Sequence, residues 1–313
     1  MSDKKTIGIV GARGYTGEQL LGLLANHSGF ELAFVSSRKL AGQPVADQVE
    51  GFDRGLLYEE LSPADVAERA PDVCVLALPN NISPPFVAAI EEHCPSTVIV
   101  DLSSDYRFDD RWTYGQTERF RDEIKEAHRI ANPGCYATGM QIGLWPLLDW
   151  LAAPPQVFGV SGYSGAGTTP SPKNDPDVLR DNLLPYSLTD HTHEREVSRH
   201  LGRQIYFSPH VAPFFRGITL TISVQLDELR DVDQVRERFE EFYGDEALVE
   251  LIDEPPLVRD NVENNGLRVG GFDVTDDHLV FVVTLDNLLK GAATQALQNA
   301  NLACGFDELE GIR

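Results

Sequence analysis

Hydrophobic segments alternate with glycine-rich and polar stretches through the first hundred residues. The apolar segments Thr6–Val10 and Glu31–Val35 predict strands, and the apolar-periodic stretch Glu18–Ala25 between them predicts a helix. Continuous apolar runs at 73–78 and 97–100 are typical of strands that are buried on both faces. Alternating units of this kind predict an α/β fold, with a parallel, doubly wound sheet and right-handed crossovers.

Beyond residue 135 the pattern changes to strand-like segments, several of which alternate apolar with polar residues. The segments at 157–162, 219–226 and 278–284 are examples. They predict an α+β region built on a mixed or antiparallel sheet with one covered face. The stretch Ser161–Asp177 is rich in Gly, Ser, Thr and Pro, and it is too long for a simple connection. We therefore expect it to be a functional loop.

The composition of the 313 residues limits the classes of partner. The formal net charge is −23 and the pI is near 4.6, which argues against a nucleic acid and against an anionic membrane as partners. An anionic substrate would need a locally basic pocket inside this acidic protein.

The N-terminal segment and the cysteines favour a reduced, cytoplasmic compartment. The chain starts with polar residues and runs directly into the first strand, without an apolar signal region, and no stretch approaches the roughly 18 apolar residues of a membrane span. The four cysteines form no CxxC pair and have no metal-ligand spacing. We expect no metal site.

A glycine-rich turn separates the first strand from the first helix. Glycines at such a turn let the backbone approach a pyrophosphate, which then rests on the helix N-terminus. The strand–turn–helix context supports a dinucleotide site here. The candidate residues are Gly11, Arg13, Gly14, Tyr15, Thr16 and Gly17.

The residues after the second strand indicate which dinucleotide is bound. An NAD site usually has an acidic residue here to accept a hydrogen bond from the ribose 2′-hydroxyl. This chain instead has hydroxyls and cations, which favour the 2′-phosphate of NADP(H). They are Ser36, Ser37, Arg38 and Lys39.

Cys135 is the candidate nucleophile. It follows the turn-forming sequence Asn132-Pro133-Gly134 and precedes a helix predicted over 140–151. At or just before a helix N-terminus, the macrodipole and the backbone N–H groups favour the thiolate by lowering a thiol's pKa. The same N–H groups could stabilise an oxyanion.

Two closely spaced histidines, His191 and His193, are the candidate proton acceptor and donor for this cysteine. A zinc site is the alternative for a His-x-His pair, but no third ligand with suitable spacing is near. His210 is a weaker candidate, for which a structural hydrogen bond is the better interpretation.

Seven motifs together resemble those of the N-acetyl-γ-glutamyl-phosphate reductase family, whose members are the third enzyme of arginine biosynthesis. They span the chain in the order that the family has. The wider superfamily includes aspartate-semialdehyde dehydrogenase and is related to the phosphorylating glyceraldehyde dehydrogenases. The motifs lie at residues 11–17, 101–108, 132–138, 161–167, 191–196, 209–217 and 285–292.

The resemblance implies a Rossmann domain of residues 1–134 plus 291–313 and an α+β catalytic and dimerisation domain of residues 135–290, assembled as a homodimer or homotetramer. It also implies that Cys135 is the nucleophile and that the histidine pair supplies the base. The family commonly has His-Arg-His followed by Pro-Glu, whereas this chain has Thr192 and Arg195 at the Arg and Pro positions. Both histidines therefore stay candidates, with a slight preference for His193.

The implied reaction is the NADPH-dependent reduction of an acyl phosphate through a Cys135 thioester. Asn132 and the Cys135 backbone N–H are candidate oxyanion donors, and Arg107 and Arg216 are candidates for the phosphate and carboxylate of the substrate. The expected substrate cradle contains Ser161, Gly162, Ser164 and Gly165, and Asn287 and Lys290 are expected on the nicotinamide side.

Three alternative functions are open at this point. Aspartate-semialdehyde dehydrogenase uses the same chemistry on a substrate with a free α-amine. A lysine-pathway paralogue would act on an aminoadipyl phosphate. A non-catalytic NADP-binding regulator would not need Cys135.

Overall fold

Seven strands form a parallel sheet in the first of two units of the computed structural model, which describes residues 4–312. This unit consists of residues 4–134 and 292–312. Its strands follow the order β3-β2-β1-β4-β5-β7-β6, and the predicted parallel sheet is confirmed. The strands are β1 (Lys5–Val10), β2 (Phe30–Ser36), β3 (Tyr58–Glu59), β4 (Val73–Leu76), β5 (Val98–Asp101), β6 (Thr113–Tyr114) and β7 (Arg129–Ala131). The helices between them are α1 (Tyr15–Leu24), α2 (Pro63–Arg69), α3 (Pro84–His93) and α4 (Thr117–Lys125).

Local sequence explains where these elements begin. Strands β4 and β5 are buried along their whole length, as their continuous apolar runs predict. Helix α2 begins with a capping box in which Ser62 and Asp65 each bond the other's backbone N–H. Helix α3 has Pro84 in its first turn, where proline's missing N–H costs no helical hydrogen bond.

The second unit, residues 135–291, is built on a mixed sheet in the order β12-β13-β14-β11-β8-β10-β9. The predicted mixed sheet is confirmed: its central strands pair antiparallel, whereas β8 with β10 and β12 with β13 are parallel pairs. The helices are α5 (Cys135–Leu144), α6 (Pro176–Leu179), α7 (Thr192–Leu201) and α8 (Val232–Tyr243). The strands are β8 (Gln156–Gly162), β9 (Leu184–Pro185), β10 (Tyr206–Ala212), β11 (Ile218–Gln225), β12 (Val249–Ile252), β13 (Leu267–Thr275) and β14 (His278–Leu285).

The helix that follows the candidate nucleophile differs from the one that the sequence predicts. It was expected over 140–151, but α5 starts at Cys135 and ends at Leu144. Pro146 lies just beyond this end, in a short 3₁₀ turn, because proline cannot donate the backbone hydrogen bond that a continuing helix requires. All nine residues 136–144 are buried, so the helix is fixed by its surroundings.

The last helix, α9 (Thr294–Cys304), follows a π-helical turn at Leu289–Ala293 and completes the first unit. Its amide side chains are buried, which requires hydrogen-bond partners inside the protein. Gln295 and Asn299 donate to the carbonyl oxygen of Gly115, at 2.7 and 3.0 Å. The oxygen of Asn301 lies 2.9 Å from Nε2 of His27. These bonds join the C-terminal helix to segments far away in sequence.

Candidate active site

The glycine turn lies at the centre of the parallel sheet of the first unit. The chain leaves β1 between β2 and β4, where the strand order reverses, and such a switch point is where doubly wound folds bind dinucleotides. Gly11 has φ of +87°, and a Cβ at this position would overlap the carbonyl oxygen of Ala77 and lie 2.8 Å from its carbonyl carbon. Only glycine fits both the backbone angle and the close approach.

The remaining residues of the turn leave room at the start of α1. Gly14 is the N-cap and provides no side-chain hydrogen bond to the helix. Gly17 lies against Ala12, since a Cβ at position 17 would come within 2.6 Å of the Ala12 Cα. Arg13 is exposed, and Tyr15 and Thr16 are half-buried. This arrangement fits a pyrophosphate at the helix N-terminus.

The residues at and after the end of β2 provide the hydroxyls and positive charges that a 2′-phosphate requires. Ser36 and Ser37 are buried, whereas Arg38 and Lys39 are exposed and form no ion pair within residues 4–312. The carboxylate next to Ser36 in the sheet belongs to Glu59, and both of its oxygens accept hydrogen bonds from Arg69. The negative charge of Glu59 is therefore neutralised, and two cations are available to a phosphate.

Cys135, in the second unit, is the first residue of α5 and is half-buried. Helix N-termini carry partial positive charge, which favours an anion at this position. Gly291 lies close to this cysteine, and a Cβ at position 291 would come within 2.8 Å of the Cys135 Cβ.

The other three cysteines have different surroundings. Cys74 and Cys94 are buried in the core of the first unit, and burial raises the pKa of the Cys74 thiol. Cys304 is half-buried, and burial raises its pKa to about 11. These settings oppose thiolate formation at Cys74 and Cys304.

Two tyrosines lie in the electrostatic range of Cys135. The hydroxyl of Tyr136 donates to the carbonyl oxygen of His210 at 2.8 Å and also interacts with the hydroxyl of Tyr186. Burial raises the pKa of Tyr186, and a negative charge on Cys135 raises it further. Sequence analysis missed Tyr186, because it lies in a loop and belongs to no motif.

The histidine pair lies at the start of α7, and its members have different roles in the local structure. His191 is the N-cap, and its Nδ1 accepts a hydrogen bond from the backbone N–H of His193 at 3.0 Å. Burial, and next the positive charges of Lys173 and Arg195, lower the pKa of His191 to about 4. The rings of His191 and His193 are 4.9 Å apart, and the ring of His193 is 6.0 Å from that of Tyr136.

Glu194 fixes the helix turn that carries these histidines. It is buried, and its two carboxylate oxygens accept from the backbone N–H groups of Asp190 at 3.0 Å and Phe207 at 2.8 Å. Asp190 has φ of +57°, an angle that non-glycine residues seldom adopt. The buried carboxylate therefore joins this strained residue and α7 to β10.

The predicted cradle at the end of β8 is closely packed. Ser161 and Ser164 are buried, and the Oγ of Ser161 donates to the carbonyl oxygen of Gly162. A Cβ at position 165 would lie 3.0 Å from the Oγ of Ser161, so the glycine keeps this side of the hydroxyl open. Asn287 holds the cradle, because its Nδ2 donates to the Oγ of Ser164 at 2.9 Å.

A buried acidic residue that sequence analysis missed, Asp286, holds Arg216. The Nε of Arg216 lies 2.6 Å from Oδ2 of Asp286, and the same oxygen accepts from the backbone N–H of Glu263. The other oxygen accepts from the N–H groups of Leu288 and Leu289. One carboxylate thus joins three segments of the second unit.

Asn287 and Lys290, predicted on the nicotinamide side, are both buried. The Oδ1 of Asn287 accepts from the backbone N–H of Gly217 at 2.7 Å, so both ends of its amide are used within the second unit. Their roles toward a coenzyme stay predictions.

Arg107 and Asn132 belong to the first unit and are both buried. Arg107 donates to the backbone carbonyl oxygens of Asn132 at 2.9 Å and Leu102 at 2.8 Å. The Oδ1 of Asn132 accepts from Nδ2 of Asn299 at 3.0 Å, which fixes the orientation of the Asn132 amide. These bonds show a structural use of Arg107 that the motif alone does not reveal.

Residues 4–312 contain neither a cluster of metal ligands nor a membrane-spanning helix. No group of three or more His, Cys, Asp or Glu side chains is arranged to hold a metal ion. No helix in this range has both the length and the apolar character needed to cross a membrane.

Solved structures with this fold include two aspartate-semialdehyde dehydrogenases. The Vibrio cholerae aspartate semialdehyde dehydrogenase II, complexed with ASA, gives a TM-score of 0.79 at 19% identity and covers 97% of this chain and 99% of its own. The Candida albicans enzyme with NADP gives 0.74 at 18% identity, over 96% and 98% of the two chains. At this level of identity the likeness shows the shared fold.

Sequence comparison gives closer relatives. Residues 6–127 match the family model of the semialdehyde dehydrogenase NAD binding domain, and residues 135–287 match that of the semialdehyde dehydrogenase dimerisation domain. The N-acetyl-gamma-glutamyl-phosphate reductase of Xanthomonas euvesicatoria is 54% identical over 99% of both chains, and that of Stenotrophomonas maltophilia is 55% identical over 98% of both. The chain therefore belongs to the N-acetyl-gamma-glutamyl-phosphate reductase family of semialdehyde dehydrogenases.

Proposed function

We propose that this enzyme reduces N-acetylglutamyl 5-phosphate to N-acetylglutamate 5-semialdehyde, with release of phosphate and consumption of NADPH. The Cys135 thiolate forms a bond to the acyl carbon, and the bond from that carbon to the phosphate oxygen breaks. The resulting thioester is reduced to a thiohemiacetal, which collapses to the aldehyde and returns the thiolate. This is the third step of arginine biosynthesis.

The position of Cys135 is the observation that carries this proposal. It is a half-buried cysteine on the first residue of a buried helix, in the same unit as the histidine pair. A nucleophilic cysteine needs an environment that favours the anion and a nearby group that handles protons. A non-catalytic NADP-binding protein would need neither.

The first unit would hold the coenzyme through the glycine turn and the residues after β2. The N-terminus of α1 would bind the pyrophosphate, and Arg38 and Lys39 would bind the 2′-phosphate. When bound, NADPH supplies the hydride that reduces the acyl group on Cys135. The residues around the turn fit this ligand because Gly11 and Gly14 are only half-buried and no side chain caps the N-terminus of α1.

His193 is the better candidate for proton transfer. The Nδ1 of His191 already accepts the cap hydrogen bond, and its pKa near 4 keeps the ring neutral near pH 7. Its remaining proton is then on Nε2, so His191 has no free lone pair with which to accept another. His193 makes no such contribution to the helix cap, and we assign the acid–base role to it.

We propose substrate contacts for several of the residues that the sequence selected. Arg216 would bind an anionic group of the substrate, with its orientation fixed by Asp286. The Ser161–Gly165 cradle would enclose the chain of the substrate, and the amide of Asn132 and the Cys135 N–H would stabilise the oxyanion. Arg107 is a weaker candidate, since two of its nitrogens already bond backbone carbonyls.

The family of the second unit indicates a homo-oligomer that acts on a small molecule. We propose a homodimer or a homotetramer built through this unit, in the cytoplasm. Size-exclusion chromatography with light scattering distinguishes the two assemblies, and a monomer at micromolar concentration would contradict both.

The covalent step is tested by Cys135→Ser. We expect turnover to be abolished, while the affinity for NADPH changes by less than about twofold, because the residues proposed for the pyrophosphate and the 2′-phosphate lie in the first unit. Retained turnover would contradict the thioester mechanism.

The substrate is tested in the reverse direction with NADP⁺, phosphate and either semialdehyde. We expect kcat/KM to favour N-acetylglutamate semialdehyde. A preference for aspartate semialdehyde would identify the enzyme instead as an aspartate-semialdehyde dehydrogenase.

A further inference from the structure

Lys173 is a half-buried lysine in the loop between β8 and β9. Its Nζ lies 4.8 Å above the ring centroid of Tyr186, which is a cation–π contact. Within residues 4–312 its ammonium forms no ion pair and no side-chain hydrogen bond. Among the described residues, this cation therefore has an attractive aromatic neighbour but no anionic partner.

The chain has 49 acidic and 26 basic residues, so carboxylates outnumber cations. Lys125 pairs with Asp122 at 2.8 Å, whereas the exposed Lys39 and the half-buried Lys173 form no ion pair within residues 4–312. The acids nearest to Lys173 in sequence have other partners. Asp175 caps α6 through the N–H of Asp177, and Asp177 pairs with Arg180. The ammonium of Lys173 is thus left for another anion.

The backbone around Lys173 is held in place. Nδ2 of Asn174 donates to the carbonyl oxygens of Gly167 and Thr169, at 2.9 and 2.8 Å, and its Oδ1 accepts from the N–H of Ser171 at 2.8 Å. These bonds attach the 3₁₀ turn of Lys173 to the end of the predicted substrate cradle. A positioned cation loses less conformational entropy when it binds a ligand.

The neighbours of Lys173 belong to the group of residues around Cys135. The ring of Tyr186 is 5.5 Å from that of His191, and its hydroxyl interacts with Tyr136, the residue next to Cys135. Burial, and next a charge on Cys135, raise the pKa of Tyr186, and the pKa of His191 is lowered first by burial and then by Lys173. The ammonium is therefore within electrostatic range of the residues that surround the nucleophile.

We propose that Lys173 binds an anionic group of the substrate, either the phosphate that leaves or the carboxylate of the acyl chain. This inference rests on the proposed function. An ammonium over an aromatic ring attracts both groups, and a positive charge here would offset the repulsion between an anionic substrate and a protein of net charge −23. No motif marks Lys173, which is why sequence analysis did not select it.

The test is the reverse reaction of Lys173→Met with NADP⁺, inorganic phosphate and N-acetylglutamate semialdehyde, in which the two KM values are measured separately. We expect one of them to rise about 10- to 100-fold, the effect of losing a hydrogen bond to a charged group, while kcat changes much less. Lys173→Arg should restore most of the loss. Lys125→Met removes the same charge at an exposed position on α4, in the first unit, and should leave both KM values unchanged.

The two KM values distinguish the source of the anion. A selective rise for phosphate assigns Lys173 to the leaving group, and a selective rise for the semialdehyde assigns it to the carboxylate. Unchanged KM values, an equal rise in both, or a loss confined to kcat would overturn the proposal. If the unmodified enzyme did not turn over this semialdehyde at all, the proposed function would fail, and that result is separate from any effect of Lys173.

Discussion

Replacing Gly291 by alanine should displace the nucleophile. A Cβ at this position would lie 2.8 Å from the Cβ of Cys135 and 3.2 Å from its Cα. Carbon atoms in contact are normally about 3.5–4.0 Å apart, so roughly 0.7–1.2 Å of additional separation is needed. The turn at residue 291 cannot easily retreat, because its N–H donates to the carbonyl oxygen of Asp286, whose carboxylate is itself fixed by four hydrogen bonds or ion pairs.

The energetic cost has two parts. An extra methyl group in a packed site costs about 1–3 kcal/mol of stability. A displacement of about 1 Å at a reacting group can reduce the rate by about 100-fold. We therefore expect Gly291→Ala to remain folded, since the stability of a domain is roughly 5–15 kcal/mol, and to lose about two orders of magnitude in kcat.

The assay combines steady-state kinetics, the rate of Cys135 alkylation and urea unfolding. Gly22→Ala is the matched control, because nothing lies within 4 Å of a Cβ at position 22 in α1. This control should be as stable as the unmodified enzyme or more stable by about 1 kcal/mol, since alanine is the better helix former. If Gly291→Ala kept a kcat within about threefold of the unmodified enzyme, the geometric basis of the nucleophile's placement would be refuted.

Three further predictions concern the histidines and the coenzyme. His191→Asn should keep most of kcat, because asparagine also caps a helix. His193→Asn should lower kcat by about 100-fold or more. Equal losses of kcat in the two variants would contradict the assignment of roles. The pKa of His191 lies near 4 in the folded enzyme and near 6.5 when unfolded, so the unfolded state binds more protons between these values, and stability should fall as pH decreases from 6.5 to 4. The free energy of unfolding should fall by at most about 3 kcal/mol, and by less because the ring is partly exposed. In urea unfolding across this pH range, the stability of His191→Asn should depend less on pH than that of the unmodified enzyme. Arg38→Ala should reduce the preference for NADPH over NADH by about 10-fold or more in kcat/KM, and an unchanged ratio would exclude Arg38 from the 2′-phosphate site.

Local patterns predict the first unit well because each signal has a short-range cause. The strand β1, the glycine turn and α1 are adjacent in sequence. The positive φ at Gly11 concerns a single residue, so the presence of a glycine is enough to suggest it. Continuous apolar runs identify β4 and β5 because both faces of each strand are buried. The position of Cys135 at a helix N-terminus also follows from the turn before it.

Long-range contacts explain what the sequence does not predict. The parallel pairing of β8 with β10 depends on a crossover through residues 163–205, which no local pattern specifies. Arg107 lies in a motif that predicts a substrate-binding residue. Its hydrogen bonds to two backbone carbonyl oxygens depend on how the chain folds around it, which the motif does not show. Tyr186 and Lys173 come near the histidines only through folding, and neither belongs to a motif. The distinct roles of His191 and His193 depend on which of them caps α7. Because both residues are histidines, the sequence does not show which one is the cap.

The return of α9 to the first unit has a consequence for synthesis on the ribosome. Residues 135–291 are continuous, so all segments of the second unit are synthesised before the segment that contains α9. The carbonyl oxygen of Gly115 and the amide of Asn132 obtain their partners Gln295 and Asn299 only after that segment emerges. A nascent chain stalled before residue 292 would therefore hold every segment of the second unit but an incomplete first unit.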